Sequence, residues 1–411
     1  MVNQSHTHKD ECHSCGSNDV AKILDLGEMA LANAFLKKSE LDQPEIKVPL
    51  VLYFCRSCGL VQLLDEVDPA ILFKDYDYLT SASTPLVKHF EEMAKYLVEQ
   101  FITNKDDLMV EIGGNDGSLL GAVKDSCRAL NVDPASNVAK LSEAKGVPTL
   151  NAFFGSVVAE EIVEKYGTAK VAVANNVMAH IPTIKDIFEG VRTLIGEDGV
   201  FVMEVHWVGN LIGDGGFDQI YHEHLFYYSL HALRTLVRQL GLETFDVETV
   251  PIHGESMRVF IAKNRTITER AQAFLKREEE MGLMDEATFV KFSNKVTKSK
   301  EVLSSLLHEL KSQGKKIAGY GAPAKGNTLL NYFEIGPDVL DFITDTTPLK
   351  QGLYSPGMHI PVVAPERLLN EPPDYVLLLA WNYADAILKK EDALRQRGVK
   401  FIIPVPEVRV V

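Results

Sequence analysis

The chain has 411 residues, 46% hydrophobic and 24% charged, a balance that predicts folded globular protein and excludes wholesale disorder. This length fits two or three domains. No apolar stretch approaches the ~18 residues that a membrane-spanning helix needs, and the polar start MVNQSHTHKDEC lacks the apolar core of a secretory signal. The net charge of −15 argues against nucleic acid, whose binding rests on Lys and Arg. We therefore expect a cytoplasmic protein with no membrane and no nucleic-acid partner.

The sequence pattern divides the chain into three parts. Residues 1–80 contain two cysteine pairs. Residues 81–265 alternate strand-like runs (LMVEI, VAVAN, GVFVMEV) with helical patterns (SNVAKLSEAKG, TIKDIFEGVRTLIG), which predicts a parallel sheet covered by helices. Residues 266–411 begin with a charge-rich helical connector and continue from KKIAGYGAPAKG with a second strand-turn-helix unit. The predicted fold class is α/β, with a doubly wound central sheet and a second, Rossmann-like domain.

The cysteine pairs predict a structural zinc site. Cys12 and Cys15 form one Cys-x-x-Cys unit, and Cys55 and Cys58 form the other. Four thiolates complete a tetrahedral shell and leave no position open for a substrate. Disulfides are disfavoured in a cytoplasmic chain, and a redox Cys-x-x-Cys would not need a second copy. The remaining Cys127 stands alone and fits a buried apolar position.

A glycine loop in the second part predicts a nucleoside site. The stretch from Glu111 through Gly113 and Asn115 to Gly117 follows the strand LMVEI and precedes the helical pattern SLLGAV. Glycines at a strand end let a ligand approach the backbone. Asp133 follows about 20 residues later, where a ribose diol would lie. The loop lacks the third close glycine of the dinucleotide pattern, and Glu111 suits the positive charges of S-adenosylmethionine. A plain glycine turn in a doubly wound fold is the alternative.

Together the motifs resemble a specific family. In chain order they are the two Cys-x-x-Cys units, Tyr76-Asp77-Tyr78 with Ser81 and Ser83, EIGGNDGSLL, NVDPASN, ANNVMAHI, IYHEHLFYYS and GYGAPAKGNTLLN. They are similar to the sugar C-methyltransferases that build branched deoxysugars from nucleotide-linked 4-keto sugars. The resemblance covers nearly the whole chain and implies a zinc module, a class I methyltransferase domain and a C-terminal α/β domain. It also implies that S-adenosylmethionine contacts Glu111, Gly113, Asn115, Asp133, Pro134 and Asn176.

Carbon methylation requires a base, and the sequence offers one candidate cluster. A 4-keto group acidifies the hydrogen on carbon 3, so that a base titrating near neutrality can form an enolate. Tyr221, His222, Glu223 and His224 follow the fifth strand of the central pattern. In the resembling family the second histidine of Tyr-His-Glu-His is the favoured base. We therefore predict His224 as base and assign Tyr221 and Glu223 to supporting roles.

Other interpretations of this cluster stay open. His222 and His224 alternate as metal ligands on a strand would, although their spacing differs from His-Glu-x-x-His. A purely structural cluster is a further possibility. We also expect a tyrosine from the first part to complete the site, and spacing does not distinguish Tyr76 from Tyr78.

The C-terminal part predicts a site for the nucleotide of the substrate. A strand, a glycine turn at Gly321 and a helix suit a diphosphate, with Lys325 as counter-charge and Asn327 as a further donor. Asp345 ends the next predicted strand, where it could meet a ribose or a base. We assign His222 and Arg258 to the substrate as well, with His253 and Ser256 near the sugar. An NAD site is the alternative for the turn, and a surface ion pair is the alternative for Arg258.

The leading functional hypothesis is S-adenosylmethionine-dependent methylation of carbon 3 in a nucleotide-linked 4-keto deoxysugar. An O- or N-methyltransferase would need no enolising base. A third hypothesis is a non-catalytic zinc protein that senses nucleotides. The sequence does not reveal the nucleotide, the sugar, the face attacked or the oligomeric state.

Overall fold

The computed structural model describes residues 5–73, 79–250 and 256–411. Its N-terminal part contains short strands and one short helix: β1 (His6–His8), β2 (Val20–Ala30), β3 (Lys47–Cys55), β4 (Val61–Leu63), β5 (Asp65–Val67) and α1 (Pro69–Phe73). β2 and β3 form a long antiparallel pair. This pair fills the interval between the two cysteine pairs, as a β-hairpin insertion would.

The central part is a seven-stranded sheet flanked by helices. Its elements are α2 (Thr84–Phe101), β6 (Leu108–Ile112), α3 (Ser118–Gly121), β7 (Arg128–Val132), α4 (Ser136–Ala144), β8 (Thr149–Leu150), α5 (Ser156–Tyr166), β9 (Val171–Asn175), α6 (Ile184–Ile195), β10 (Val200–His206), α7 (Val208–Asp214), β11 (Phe226–Tyr227), α8 (Leu230–Gln239), β12 (Glu243–Val250) and β13 (Ser256–Ala262). The strand order is β12-β13-β10-β9-β6-β7-β8. The carboxyl ends of β6, β7 and β9 therefore lie side by side, at the edge where such sheets bind ligands.

The predicted parallel sheet is in fact mixed. β6 to β10 run parallel, but β13 pairs antiparallel with both β10 and β12. Only five residues join β12 to β13, which is too few for the helical crossover that parallel strands require. The antiparallel hairpin at this edge follows from that short connection.

The C-terminal part begins with two helices and continues with a six-stranded sheet. Its elements are α9 (Glu269–Glu280), α10 (Glu286–Ser312), β14 (Ile317–Tyr320), α11 (Ala324–Phe333), β15 (Ile343–Thr344), β16 (Val362–Val363), α12 (Glu366–Asn370), β17 (Tyr375–Leu378), α13 (Ala384–Lys390), α14 (Asp392–Gln396), β18 (Lys400–Ile403) and β19 (Arg409–Val410). The order β16-β15-β14-β17-β18-β19 changes direction between β14 and β17. Open α/β sheets bind ligands at such a switch point.

One strand crosses from the central part into the N-terminal sheet. β11 pairs with β4, so that the order of that sheet is β11-β4-β3-β2. The segment that carries Tyr221 to His224 immediately precedes β11 in the chain. The N-terminal sheet consequently anchors the segment with the predicted base. No helix in the described ranges has the length and apolar composition needed to cross a bilayer.

Candidate active site

The two cysteine pairs adopt matching turns. A glycine follows each pair at positive φ, +72° for Gly16 and +75° for Gly59, a conformation that glycine adopts without strain. The amide of Gly16 donates to the carbonyl of Cys12 at 2.9 Å, and the amide of Gly59 donates to the carbonyl of Cys55 at 2.8 Å. The same local geometry therefore recurs in two segments about 40 residues apart.

The four thiols meet as a tetrahedral zinc site requires. Cys12 Sγ lies 3.6 Å from Cys58 Sγ, and Cys15 Sγ lies 3.5 Å from Cys55 Sγ. Zn–S bonds of about 2.3 Å give a tetrahedral S–S edge of about 3.8 Å, close to these distances. Within the described ranges these four residues are the one group of three or more His, Cys, Asp or Glu residues placed to share an ion. The structure therefore gives no support to a metal held by His222 and His224.

The predicted glycine loop follows β6 in a shape that requires glycine. Gly113 has φ of +67°, and a Cβ at this position would lie 2.5 Å from Cγ2 of Val177. Gly117 has φ of +71° and precedes the single turn of α3. Asn115 also has positive φ, at 51°. Three residues with positive φ within five positions turn the chain tightly, so the loop stays close to the end of β6.

Asp133 lies beside this loop, as the sequence predicts. Its Oδ2 accepts from the amide of Asn115 at 2.9 Å, and its Oδ1 accepts from the amide of Ala135 at 2.9 Å. The carboxylate is buried, and burial raises its pKa above the usual range. Pro134 follows directly and lies at the carboxyl end of β7. Both carboxylate oxygens retain lone pairs that can accept from hydroxyl groups.

Several buried polar atoms beside this loop lack partners in the described structure. Oε2 of Glu111, the side-chain amide of Asn175 and Oδ1 of Asn176 are buried and have no hydrogen-bond partner among the described residues. Such atoms are costly unless a ligand or water satisfies them. Burial raises the pKa of Glu111 well above its usual value, and the charges of Asp133 and Asp116 raise it further. A cationic ligand with hydrogen-bond donors would relieve both costs, which fits S-adenosylmethionine.

His224 has a defined orientation and protonation pattern. Its Nδ1 lies 3.1 Å from the carbonyl oxygen of Gln219, and its Nε2 lies 2.8 Å from the hydroxyl of Tyr221. Because a carbonyl only accepts, Nδ1 carries the proton in the neutral ring. Nε2 is then the basic nitrogen and accepts from Tyr221. The Tyr221 ring lies against the imidazole, with 4.0 Å between their centroids.

Two further histidines surround His224, and the sequence interpretation assigned no role to either. The ring centroids of His180 and His206 lie 5.0 Å and 5.5 Å from that of His224. His180 Nδ1 donates to the carbonyl of Glu223 at 2.6 Å, and burial lowers the pKa of His180. His180 therefore stays neutral near pH 7. Both histidines stand at or just beyond the carboxyl end of a parallel strand, β9 or β10, and this position was the signal in the sequence.

Glu223 joins three parts of the chain. Its Oε1 accepts from Nδ2 of Asn33 in the N-terminal part at 2.7 Å. Burial raises its pKa, while the positive charge of Lys350 in the C-terminal part opposes that rise. Lys350 donates to the carbonyl of Ala322 at 2.7 Å. The carboxyl group thus lies where all three parts meet.

Two other predicted site residues make contacts elsewhere. His222 is 2% exposed, and its Nε2 donates to the carbonyl of Val48 at 3.0 Å. It therefore packs on the N-terminal sheet and does not join His224. Arg258 lies in β13 and forms buried ion pairs with Glu204 at 2.7 Å and Glu248 at 3.2 Å. This pairing corresponds to the ion-pair alternative for Arg258, although the pair is buried and not on the surface.

Three other predicted site residues have no described structure. Tyr76, Tyr78 and His253 lie outside the described residues, so their predicted roles stay predictions. Ser256 begins β13 and is buried. The backbone of the neighbouring segment reaches the glycine loop, because the amides of Thr80 and Ser81 donate to the side chains of Asn115 and Asp116. The chain just after Tyr78 thus covers the loop.

The predicted diphosphate turn follows β14, but two of its side chains have protein partners. Gly321 has φ of +82°, and a Cβ there would lie 3.0 Å from Cβ of Ala380. Asn327 is 1% exposed and donates to the carbonyl of Ala32 at 2.7 Å. Lys325 Nζ donates to Oδ1 of Asn382 at 2.6 Å. Asn327 thus binds the N-terminal part, while Lys325 stays beside the turn at the switch point.

Comparison with known proteins identifies the family. Residues 12–73 match a family described as a zinc binding domain, residues 87–247 match a methyltransferase domain, and residues 251–406 match a C-methyltransferase C-terminal domain. The chain is 36% identical to the C-methyltransferase NovU of Streptomyces niveus over 406 residues, which are 98% of this chain and 97% of that protein. The chain belongs to the C-methyltransferase family. This C-methyltransferase is therefore an enzyme, and the non-catalytic hypothesis is wrong.

The cofactors of this C-methyltransferase follow from the same matches. The methyltransferase domain, together with the unpartnered polar atoms beside Gly113, identifies S-adenosylmethionine as the methyl donor. The zinc binding domain covers all four cysteines of the cluster, which identifies a structural zinc ion. The predicted α/β fold is confirmed by the methyltransferase domain and the strand order.

Solved methyltransferases are also similar to part of the chain. An S-adenosylmethionine-dependent methyltransferase of Clostridium acetobutylicum is 14% identical, with a TM-score of 0.35, over 46% of this chain and 96% of that one. The magnesium protoporphyrin IX methyltransferase of Synechocystis, solved with bound S-adenosylmethionine, is 9% identical, with a TM-score of 0.34, over 47% of this chain and 89% of that one.

Proposed function

We propose that the enzyme methylates carbon 3 of a nucleotide-linked 4-keto deoxysugar through an enolate formed by His224. The carrying observation is the hydrogen bond from Nδ1 of His224 to the carbonyl of Gln219, at 3.1 Å. It makes Nε2 the basic nitrogen and directs that nitrogen toward Tyr221. A neutral imidazole with one defined acceptor nitrogen is suited to general-base catalysis near pH 7.

In the proposed reaction His224 removes the proton on carbon 3 of the sugar. The electron pair of that C–H bond becomes the enolate, which the 4-keto oxygen stabilises. Because Nε2 has a single lone pair, the Tyr221 hydroxyl turns away from it when the sugar binds, and it can then donate to the keto oxygen. S-adenosylmethionine supplies the methyl group from its sulfonium, and the products are the 3-methyl sugar and S-adenosylhomocysteine. Desolvation raises the pKa of the half-buried Glu223, while Asn33 and Lys350 oppose that rise, and its carboxyl group is proposed to bind a sugar oxygen.

The residues proposed for the donor and for the nucleotide lie in different sheets. Glu111, Gly113, Asn115, Gly117, Asp133, Pro134 and Asn176 are proposed to hold S-adenosylmethionine. The turn at Gly321, with Lys325 and the start of α11, is proposed to hold the diphosphate of the substrate. Support comes from the switch point beside this turn and from the carboxyl group of Glu223 at the junction with the central part.

Carbon as the acceptor atom separates this proposal from the O- and N-methyltransferase alternatives. Membership of the C-methyltransferase family favours carbon, and His224 beside Tyr221 is placed as an enolising base, which O- or N-methylation does not need. An NAD site at Gly321 has no task in a methyl transfer without change of oxidation state.

The test is incubation with isotopically labelled S-adenosylmethionine and a panel of nucleotide-linked sugars with and without a 4-keto group. We expect label on carbon 3 of a 4-keto sugar, and exchange of the carbon-3 hydrogen with deuterated water when the methyl donor is omitted. Matched sugars with a 4-hydroxyl group should show neither label on carbon 3 nor exchange of the carbon-3 hydrogen. Label on oxygen or nitrogen, or carbon methylation without exchange at any 4-keto sugar, would contradict the proposal.

A further inference from the structure

A three-residue turn ahead of the catalytic segment is inserted into the C-terminal part. Phe217 is 1% exposed, and its ring stacks on that of Phe333 in α11, with 5.1 Å between centroids and 17° between planes. Asp218 is fully buried, and its Oδ2 accepts from the indole Nε1 of Trp381 at 2.6 Å. Two consecutive side chains of the central part are thus held by the C-terminal part.

The contact between Asp218 and Trp381 has unusual electrostatics. Oδ1 of Asp218 is buried and has no hydrogen-bond partner within the described part of the chain. Burial raises the pKa of Asp218, and the positive charge of Lys325 opposes that rise. Nζ of Lys325 lies 4.0 Å from the centroid of the same Trp381 ring. Removing a hydrogen-bond donor from a buried carboxyl group is costly, so loss of the indole N–H should disturb Asp218.

The third residue of this turn holds the predicted base. Gln219 directly follows Asp218, and its carbonyl oxygen accepts from Nδ1 of His224. Phe217 to Gln219 form a single 3-10 turn, in which the amide of Gln219 also donates to the carbonyl of Gly216 at 3.0 Å. In a turn of three residues, a change in the position of the Asp218 side chain should also shift the neighbouring carbonyl of Gln219.

We infer that Trp381 and Asp218 are positioning residues for His224, because they fix the carbonyl that selects the tautomer with Nδ1 protonated. The C-terminal part would then orient the base in addition to holding the nucleotide. The contacts that would connect the C-terminal part to His224 begin at Trp381. This residue lies with Lys325 at the β14–β17 switch point, beside the proposed diphosphate turn. This inference rests on the proposed function for its catalytic consequence, but the tautomer of His224 can be measured independently.

The test uses full-length protein labelled with ¹⁵N-histidine, with the His224 signals assigned from their absence in His224→Asn. In the parent protein we expect a neutral imidazole with the proton on Nδ1. Trp381→Phe keeps an aromatic ring but removes the donor, and should give a mixture of tautomers. It should also slow carbon-3 exchange roughly 10- to 100-fold, the scale of a small misplacement, and leave the KM for the nucleotide sugar within about twofold.

Conservative and remote variants separate positioning from general damage. Asp218→Asn retains an acceptor for the indole and should keep the parent tautomer, whereas Asp218→Ala should reproduce the effect of Trp381→Phe. His359→Asn breaks another contact between parts, the 2.7 Å pair with Glu45, and should change neither readout. If Trp381→Phe does not fold, Asp218→Ala decides by the same signals.

The outcomes distinguish this inference from the proposed function. An unchanged Nδ1 proton in folded Trp381→Phe or Asp218→Ala would overturn the inference. Equal tautomer mixing in His359→Asn would overturn it as well, because the effect would then be unspecific. Absence of carbon-3 exchange in the parent protein would instead overturn the proposed function, and the tautomer comparison would still decide the inference.

Discussion

Nδ2 of Asn33 donates a 2.7 Å hydrogen bond to Oε1 of Glu223, a residue 190 positions later in the chain. Asn33 belongs to the segment between the two cysteine pairs, and Glu223 is next to His224 in sequence. The pairing of β11 with β4 joins the same two regions through backbone hydrogen bonds. The zinc module therefore supports the catalytic segment directly, and its loss should be visible in catalysis.

We predict that Cys55→Ser loses zinc and turnover together. Zinc assembly and folding of the N-terminal part are coupled, because the unfolded segment has no preformed site. The parent protein should contain about one zinc per chain, and the variant should contain much less and become sensitive to protease before residue 80. Metal analysis, limited proteolysis and turnover are the measurements. Cys127→Ser is the matched control, since that buried thiol lies outside the cluster. Full turnover in a zinc-free variant would contradict the prediction.

Asp133→Ala should weaken binding of S-adenosylmethionine by well over tenfold. The variant removes a buried carboxylate proposed to accept from two ribose hydroxyls, and a hydrogen bond to a charged group contributes about 1.5–3 kcal/mol. It also removes the acceptor for the amides of Asn115 and Ala135, which shape the loop. Calorimetric titration with the donor measures the effect. Asp107→Asn, which alters a carboxylate at an exposed turn, should bind normally, and equal affinity in Asp133→Ala would place the ribose elsewhere.

Burial lowers the pKa of His222 from 6.5 to about 4, and this predicts an acid-sensitive contribution to stability. The folded state binds fewer protons there than the unfolded state, so the contribution is complete above pH 6.5 and is lost as the pH falls toward 4. The full difference corresponds to about 3 kcal/mol. His222→Gln retains a donor for the carbonyl of Val48 and should flatten the fall in unfolding free energy across this window. Denaturant titrations at several pH values measure it. His308→Gln, at an exposed helix position, should leave the slope unchanged.

Local patterns in the sequence predicted the elements but not their long-range pairing. The runs LMVEI, VAVAN and GVFVMEV correspond to β6, β9 and β10, because a buried strand can be recognised from its own apolar residues. The two-residue strand β11 has no such signal, since its partner β4 lies about 160 positions earlier. The strand that the sequence predicts to end at Asp345 is reduced to Ile343–Thr344. Its apolar residues indicated burial but not how far the pairing extends.

The candidate site shows the same limit at the level of side chains. His224 could be selected because four functional side chains are adjacent in the sequence. His180 and Asn33 could not be selected by such adjacency, because each reaches the site through the fold, by contacts with the backbone and the side chain of Glu223. For His180 the sequence offered only its position beyond the carboxyl end of β9. His222 shares the sequence neighbourhood of His224 but faces the N-terminal sheet, since neighbouring residues of a turn point in different directions. Adjacency in sequence thus located the region without assigning each residue.

His224→Asn should leave binding of the donor and of the nucleotide sugar intact and reduce turnover by ~10²–10⁴, the usual contribution of a general base. Asparagine keeps a donor that can bond the carbonyl of Gln219, so the variant removes the basic nitrogen with little change in shape. Exchange of the carbon-3 hydrogen in deuterated water, without the methyl donor, should be lost to the same degree. Tyr221→Phe and Glu223→Gln should show milder losses, because these groups orient or polarise and do not take the proton.

The comparison among these variants identifies the proton acceptor. If exchange continues at the parent rate in His224→Asn, the base is a different group. A larger loss in Tyr221→Phe than in His224→Asn would then select the tyrosine, whose hydroxyl lies 2.8 Å from Nε2 of His224. His180→Asn is the matched histidine control: it lies beside His224 but its Nδ1 is engaged by the carbonyl of Glu223. We expect it to retain measurable exchange, because in the proposed reaction the proton on carbon 3 goes to His224.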